Sequence, residues 1–146
     1  SETPSARESL LPAIRSAWSE LESSLEQARR SRDAGDLHAF RIAAKRLRYR
    51  IETARDLCGA DFRDVLRWLK ELQEGLGAWH DRRVLHQMTA EALARPEILV
   101  KQSEAARLIL GDLEKELRAD VGAMEEIFRL ATDHSARSRF TERLGR

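Results

Sequence analysis

The sequence predicts an all-α protein, an up-down antiparallel four-helix bundle of long helices. Three observations carry this. Apolar residues recur at a 3.6-residue period over long stretches, the mark of helices with one buried stripe. Only seven Gly and three Pro interrupt 146 residues, and Gly35, Gly59 and Pro96 fall between the periodic stretches. No segment alternates apolar and polar residues as a half-buried strand would.

The first helix is predicted over about residues 6–32, with Leu10, Leu11, Ile14, Ala17, Trp18, Leu21, Leu25 and Ala28 on its buried stripe. Gly35 suits a left-handed helix end and Asp36 can cap the second helix, predicted over 36–58. Gly59 stops that helix and Asp61 caps a third, over 61–94, which buries Phe62, Val65, Leu66, Leu69, Leu72 and Leu76. Gly75 and Gly77 predict a kink or a close helix contact within it. Pro96 ends it. The fourth helix, over 97–132, carries Ile109, Leu113, Leu117, Val121, Met124 and Phe128 as its apolar line. Residues 133–146 read as a short polar tail with a last turn around Phe140 and Leu144. Short joints between long helices make antiparallel neighbours. The whole chain, 1–146, reads as one domain with its core over 6–132, a length sufficient for a real core.

The net charge of +1 hides an asymmetry. Residues 29–55 hold nine Arg or Lys against three Asp or Glu, whereas residues 97–126 hold four against eight. A local basic surface points to a discrete anion site more than to a generic nucleic-acid coat. The single Cys58 excludes an internal disulfide and fits a reducing, cytoplasmic setting. Apolar runs of four residues or fewer leave no membrane span, and no secretory apolar stretch opens the chain. The start Ser-Glu-Thr-Pro-Ser, without Met, predicts a trimmed N-terminus.

The second helix is the most informative segment. At about 100° per residue, His38, Arg41, Lys45 and Arg48 fall within a roughly 80° arc. Phe40, Ala43, Ala44, Leu47, Ile51 and Ala54 share the opposite side. Arg41 and Lys45 are like charges at i,i+4, which destabilise a helix by about 0.2–0.5 kcal/mol. Neither has an acid three or four residues away, and only Glu52 comes within reach of Arg48 and Arg55. Such a stripe calls for an anionic partner. Cations at i, i+3, i+7 and i+10 spread over about 15 Å of helix axis and can engage several consecutive phosphates. His38 can add a hydrogen-bond donor.

Catalysis is poorly provided for. There is no phosphate-binding glycine loop, no His-Glu-x-x-His and no Glu-x-x-His for a di-iron site. Cys58 at a helix end reads as a small packing residue. The expectations are therefore no enzyme activity, no metal and no cofactor. His80 and Arg83 continue the buried stripe of the third helix where apolar residues were due. Two readings stand for them, a second wall of the anion site or solvated residues past the end of the bundle. Arg107, Arg118 and Arg129 line up at steps of eleven, with Glu114 and Glu125 placed to pair with the latter two.

The run H-x-x-R-x-x-x-K-x-x-R at His38, Arg41, Lys45 and Arg48, continued by Tyr49-Arg50-Ile51-Glu52, resembles the signature of the CHAD family, the conserved histidine α-helical domain. Leu69, Leu72, Leu76-Gly77 and His80-Asp81 on the next helix resemble that family as well. The resemblance covers roughly residues 8–132. It implies a helical, non-catalytic domain that binds inorganic polyphosphate in a basic groove. Members usually carry two related four-helix halves, and this chain shows one basic helix, similar to the second half. A homodimer would restore two such helices about a two-fold axis. A nucleic-acid-binding bundle is the rival and is disfavoured because only Tyr49, at the edge of the stripe, could stack on bases. Docking of an acidic protein is a third reading.

Overall fold

A computed structural model of the protein describes residues 6–145, with side chains from residue 8. The expected N-terminal trimming concerns residues outside the described ones. The described chain is all α, with no strand. Six helices follow one another: α1 (Ala6–Ser31), α2 (Ala34–Cys58), α3 (Arg63–Leu93), α4 (Pro96–Lys101), α5 (Ser103–Ala131) and α6 (His134–Arg143).

The joints follow local chemistry, with one correction. Arg32, not Gly35, takes the left-handed conformation, at φ 55°. Asp33, not Asp36, caps α2, its carboxylate accepting from the Gly35 amide at 3.1 Å. Gly35 lies inside the first turn. The earlier cap frees Asp36 to accept from Ser31 and Gln27. Gly59 ends α2 at φ 65° as expected, donating to the Arg55 carbonyl. Asp61 serves the start of α3, accepting from the Arg63 amide at 3.1 Å.

The apolar stripes meet in one continuous core. It takes Ile14, Trp18, Leu21 and Leu25 from α1, Leu37, Phe40, Leu47 and Ile51 from α2, and Leu69, Leu72 and Leu76 from α3. α1 packs on α2, α2 on α3, and α3 on α5. Leu11, expected inside, is exposed, while Leu10 is half-buried. Glycine permits the close approach of α3 and α5: a Cβ at Gly75 would stand 3.3 Å from Ile127 Cγ1. α3 runs unbroken through this point.

The predicted fourth helix is two helices, parted at Gln102, whose backbone leaves helical geometry. The tail is a helix. Its Phe140 packs edge-on against Trp18 at 5.0 Å, and Trp18 lies 6.1 Å from Trp68. Trp68 donates Nε1–H to the Leu130 carbonyl at 2.8 Å, and Arg15 donates to the Leu144 and Gly145 carbonyls. α6 thereby closes the end of the core.

At the opposite end, the core stops before α3 and α5 do. The α1–α2 joint stands short of the end of α3 and near the last turns of α5: Ala34 lines a cavity with Val84 and Gln87, and Arg32 pairs with Glu125 and lies over the Phe128 ring. Past that level, α3 continues for about ten residues, or ~15 Å, and returns through α4 and the first half of α5. This arm leaves its apolar residues uncovered. Of the line expected to be buried on the fourth helix, Phe128 is buried and Leu113 and Met124 are half-buried, but Ile109, Leu117 and Val121 are exposed. Helical periodicity was right and the covering partner was missing. No helix among the described residues is long and apolar enough to cross a membrane.

Candidate functional site

The seam between α2 and α3 carries the cationic stripe. The core face of α2 fixes it: with Phe40, Ala43, Ala44, Leu47 and Ile51 buried, His38, Arg41, Lys45 and Arg48 must line the side toward α3 and solvent. Two contacts pin the seam. The imidazoles of His38 and His80 lie 6.0 Å apart, tilted by 34°. At the other end Arg48 donates Nη1–H to Gln73 Oε1 at 2.9 Å. The helices are therefore antiparallel here, and seven residues of α3, about 10 Å of its axis, separate the two ties.

Between the ties the two walls differ. Arg41 and Lys45 project from α2. The register sets Gly77 of α3 opposite Arg41, and a Cβ at Gly77 would meet nothing within 4 Å. The glycine leaves an open trough beside the cations. In the sequence Gly77 reads as a weak point of the helix and as part of the Leu76-Gly77 motif, but neither it nor Gln73 is expected from the sequence to line the seam.

Charge is sorted along the same segment. Arg30 pairs with Glu26, Arg32 with Glu125, Arg46 with Glu20, Arg48 with Glu52 and Arg55 with Asp56. Arg50 donates to the Ala13 carbonyl at 2.7 Å. Among the nine cations of residues 29–55, only Arg29, Arg41 and Lys45 have no acidic or carbonyl partner among the described residues. Arg41 and Lys45 are neighbours, so the uncompensated charge is concentrated in the trough. Lys45 Nζ stands 5.6 Å from the Tyr49 ring. Arg48, by contrast, is tied twice, to Glu52 and Gln73, and is half-buried. Its guanidinium is a strut between helices more than a free anion ligand.

His80 joins the stripe through His38. Arg83 lies one turn further along α3, exposed, with its guanidinium 5.5 Å from the Trp79 ring. His80 and Arg83 both line a cavity of about 420 Å³ where α3 passes the start of α2. The structure thus brings His38, Arg41, Lys45 and His80 to one seam, with Arg48 engaged at its far end and Arg83 at its mouth. Arg118 pairs with Glu114 as expected, but Arg129 takes Glu126, because Glu125 is drawn to Arg32.

A polar cluster around the buried His86 and Asp120 ties the arm together. Arg82 donates to Asp120 at 2.8 Å, and His86 Nε2 lies 2.7 Å from Glu116. His86 Nδ1 and Asp120 Oδ2, both buried and without a hydrogen-bond partner, stand 3.6 Å apart. His86 gave no sequence signal. No group of three or more His, Cys, Asp or Glu side chains among the described residues is arranged to hold a metal ion.

With this geometry in hand, the family model described as CHAD domain matches residues 1–90, more than half of the chain. The chain belongs to the CHAD family. The match covers α1, α2 and most of α3, and so both walls of the CHAD seam. No curated protein and no solved structure matches the chain.

Proposed function

We propose that the trough between α2 and α3 binds inorganic polyphosphate or a similar polyanion, without catalysing its turnover. The observation that carries this reading is the pair Arg41 and Lys45, left without acidic partners while Arg30, Arg32, Arg46, Arg48 and Arg55 are paired with acids. Membership in the CHAD family supports it. A phosphate chain laid along α2 meets Arg41 and Lys45 from one side and the two imidazoles at one end. Arg gives forked donors and Lys a mobile point charge. The scaffold is read as an up-down antiparallel set of α1, α2, α3 and α5, and its setting as cytoplasmic.

The test is calorimetric binding of long polyphosphate, short polyphosphate and single-stranded DNA at one salt concentration, then across a salt series. Wild-type affinity for polyphosphate falls steeply with salt, since each neutralised phosphate releases counterions. Arg41→Glu with Lys45→Glu removes most of the affinity and leaves the circular dichroism unchanged, because neither side chain is in the core. Equal affinities for the two proteins would mean that the groove lies elsewhere. Preference for single-stranded DNA would favour the nucleic-acid reading, with Tyr49 beside Lys45 as its stacking surface. Phosphate release by the purified protein would overturn the non-catalytic assignment.

We propose also that two copies associate through the tip of the arm. Val100 is 81% exposed, Leu108 68% and Met88 63%, apolar side chains on the three helices that form the arm. Light scattering should report a dimer that Leu108→Glu dissociates. A monomeric mass for wild type, with tight polyphosphate binding intact, would show that one basic helix suffices.

A further inference from the structure

The cavity at the mouth of the trough differs in kind from the trough itself. Trp79, Val84, Ala90 and Leu117 give it an apolar lining, and His80 and Arg83 stand in its wall. Its volume, about 420 Å³, falls within the range of small-molecule sites, roughly 300–1,000 Å³. It exists because α1 and α2 end here while α3 and α5 run on, so the core groove of the latter pair continues without its filling. His80 belongs to both places: its ring meets His38 on the seam and also lines the cavity. A ligand can therefore pass from one to the other without crossing a neutral gap.

We propose that this cavity receives the nucleoside end of a nucleoside polyphosphate whose phosphates lie in the α2–α3 trough. The proposal rests on the groove reading above and names a ligand class for it. Inorganic polyphosphate is hydrophilic along its whole length and gains nothing from apolar walls. A ligand that is anionic at one end and flat and apolar at the other fits both surfaces. Arg83 supplies the junction. Its guanidinium covers the Trp79 ring on one face. The opposite face of a guanidinium plane is a stacking surface for a base, and its N–H edge reaches for phosphate.

Adenosine 5′-tetraphosphate and inorganic tetrapolyphosphate have the same number of phosphates, and the nucleoside ester carries one ionisable oxygen fewer. Electrostatics alone would favour the inorganic chain. Calorimetry at one salt concentration should instead find the adenosine ligand bound about tenfold tighter, the effect of one stacked base. Ala90→Trp and, independently, Leu117→Trp fill the cavity from its two sides. Each should erase the advantage while leaving tetrapolyphosphate affinity unchanged. Equal affinities in wild type would overturn the cavity assignment and leave the trough standing. An advantage that survives both substitutions would also overturn it, because the base would then sit elsewhere. Absence of binding by either ligand would remove the trough reading, and this one with it.

Discussion

His38 and His80, forty-two positions apart in sequence, face each other across the α2–α3 seam with ring centroids 6.0 Å apart. Neither carries a hydrogen bond to another side chain among the described residues. Under the proposed reading both donate to one anion at the end of the trough.

That geometry predicts coupling. His38→Ala and His80→Ala should each weaken polyphosphate binding, and the double variant should lose less than the sum. Contacting residues with a shared ligand typically show interaction energies of about 0.5–3 kcal/mol. Binding affinities of the four proteins of the cycle measure it. Strict additivity would mean that the rings serve separate phosphates or none.

Arg41 and Arg48 belong to one stripe but should separate by assay. Arg48 is held by Glu52 and Gln73 at 2.9 Å each, so Arg48→Ala should cost about 1 kcal/mol of stability. Arg41→Ala should leave the melting curve unchanged and weaken binding. Denaturant titration beside calorimetry separates the two. The reverse pattern would show that Arg48 is the ligand and Arg41 the strut.

Phe140 is wholly buried against Trp18, and α6 hangs on it. Phe140→Ala should destabilise the protein by about 3–5 kcal/mol, the usual range for a buried aromatic. Urea unfolding gives the number, and a loss under about 1 kcal/mol would mean that α6 adds little to the core.

Asp61 offers a pH test at the start of α3. The Arg63 side chain, then its backbone amide, hold the Asp61 carboxyl at a pKa of about 2, below the usual 3.8. A carboxylate depressed in the folded state contributes stability that is full above the unfolded value and is lost as pH falls through the folded one. The melting temperature of Asp61→Asn should therefore lie below wild type above about pH 4 and converge with it toward pH 2. A gap independent of pH would remove the charge of Asp61 from the explanation.

Helix identity, the Gly59 stop and the outward placement of His38, Arg41, Lys45 and Arg48 were legible in the sequence. Each follows from spacing along one helix or from a residue's own backbone preference, and neither depends on what lies across a seam. The missing acidic partners of Arg41 and Lys45 were legible for the same reason, since i,i+4 neighbours are local.

Tertiary structure decided everything that depends on which helix stands opposite. Only the α2–α3 register sets His80 against His38, turns Arg48 into a strut to Gln73 and leaves Gly77 facing Arg41. Only the unequal reach of the helix pairs exposes Leu117 and Val121, whose spacing reads as core, and opens a cavity beside His80. Phe140 and Leu144 looked like a last turn of a polar tail because two apolar residues at i,i+4 carry too little signal alone. The ring of Trp18, more than a hundred residues away, turns them into part of the core. Periodicity states which face of a helix is apolar; burial needs a second surface, and that surface is set by the packing of the whole chain.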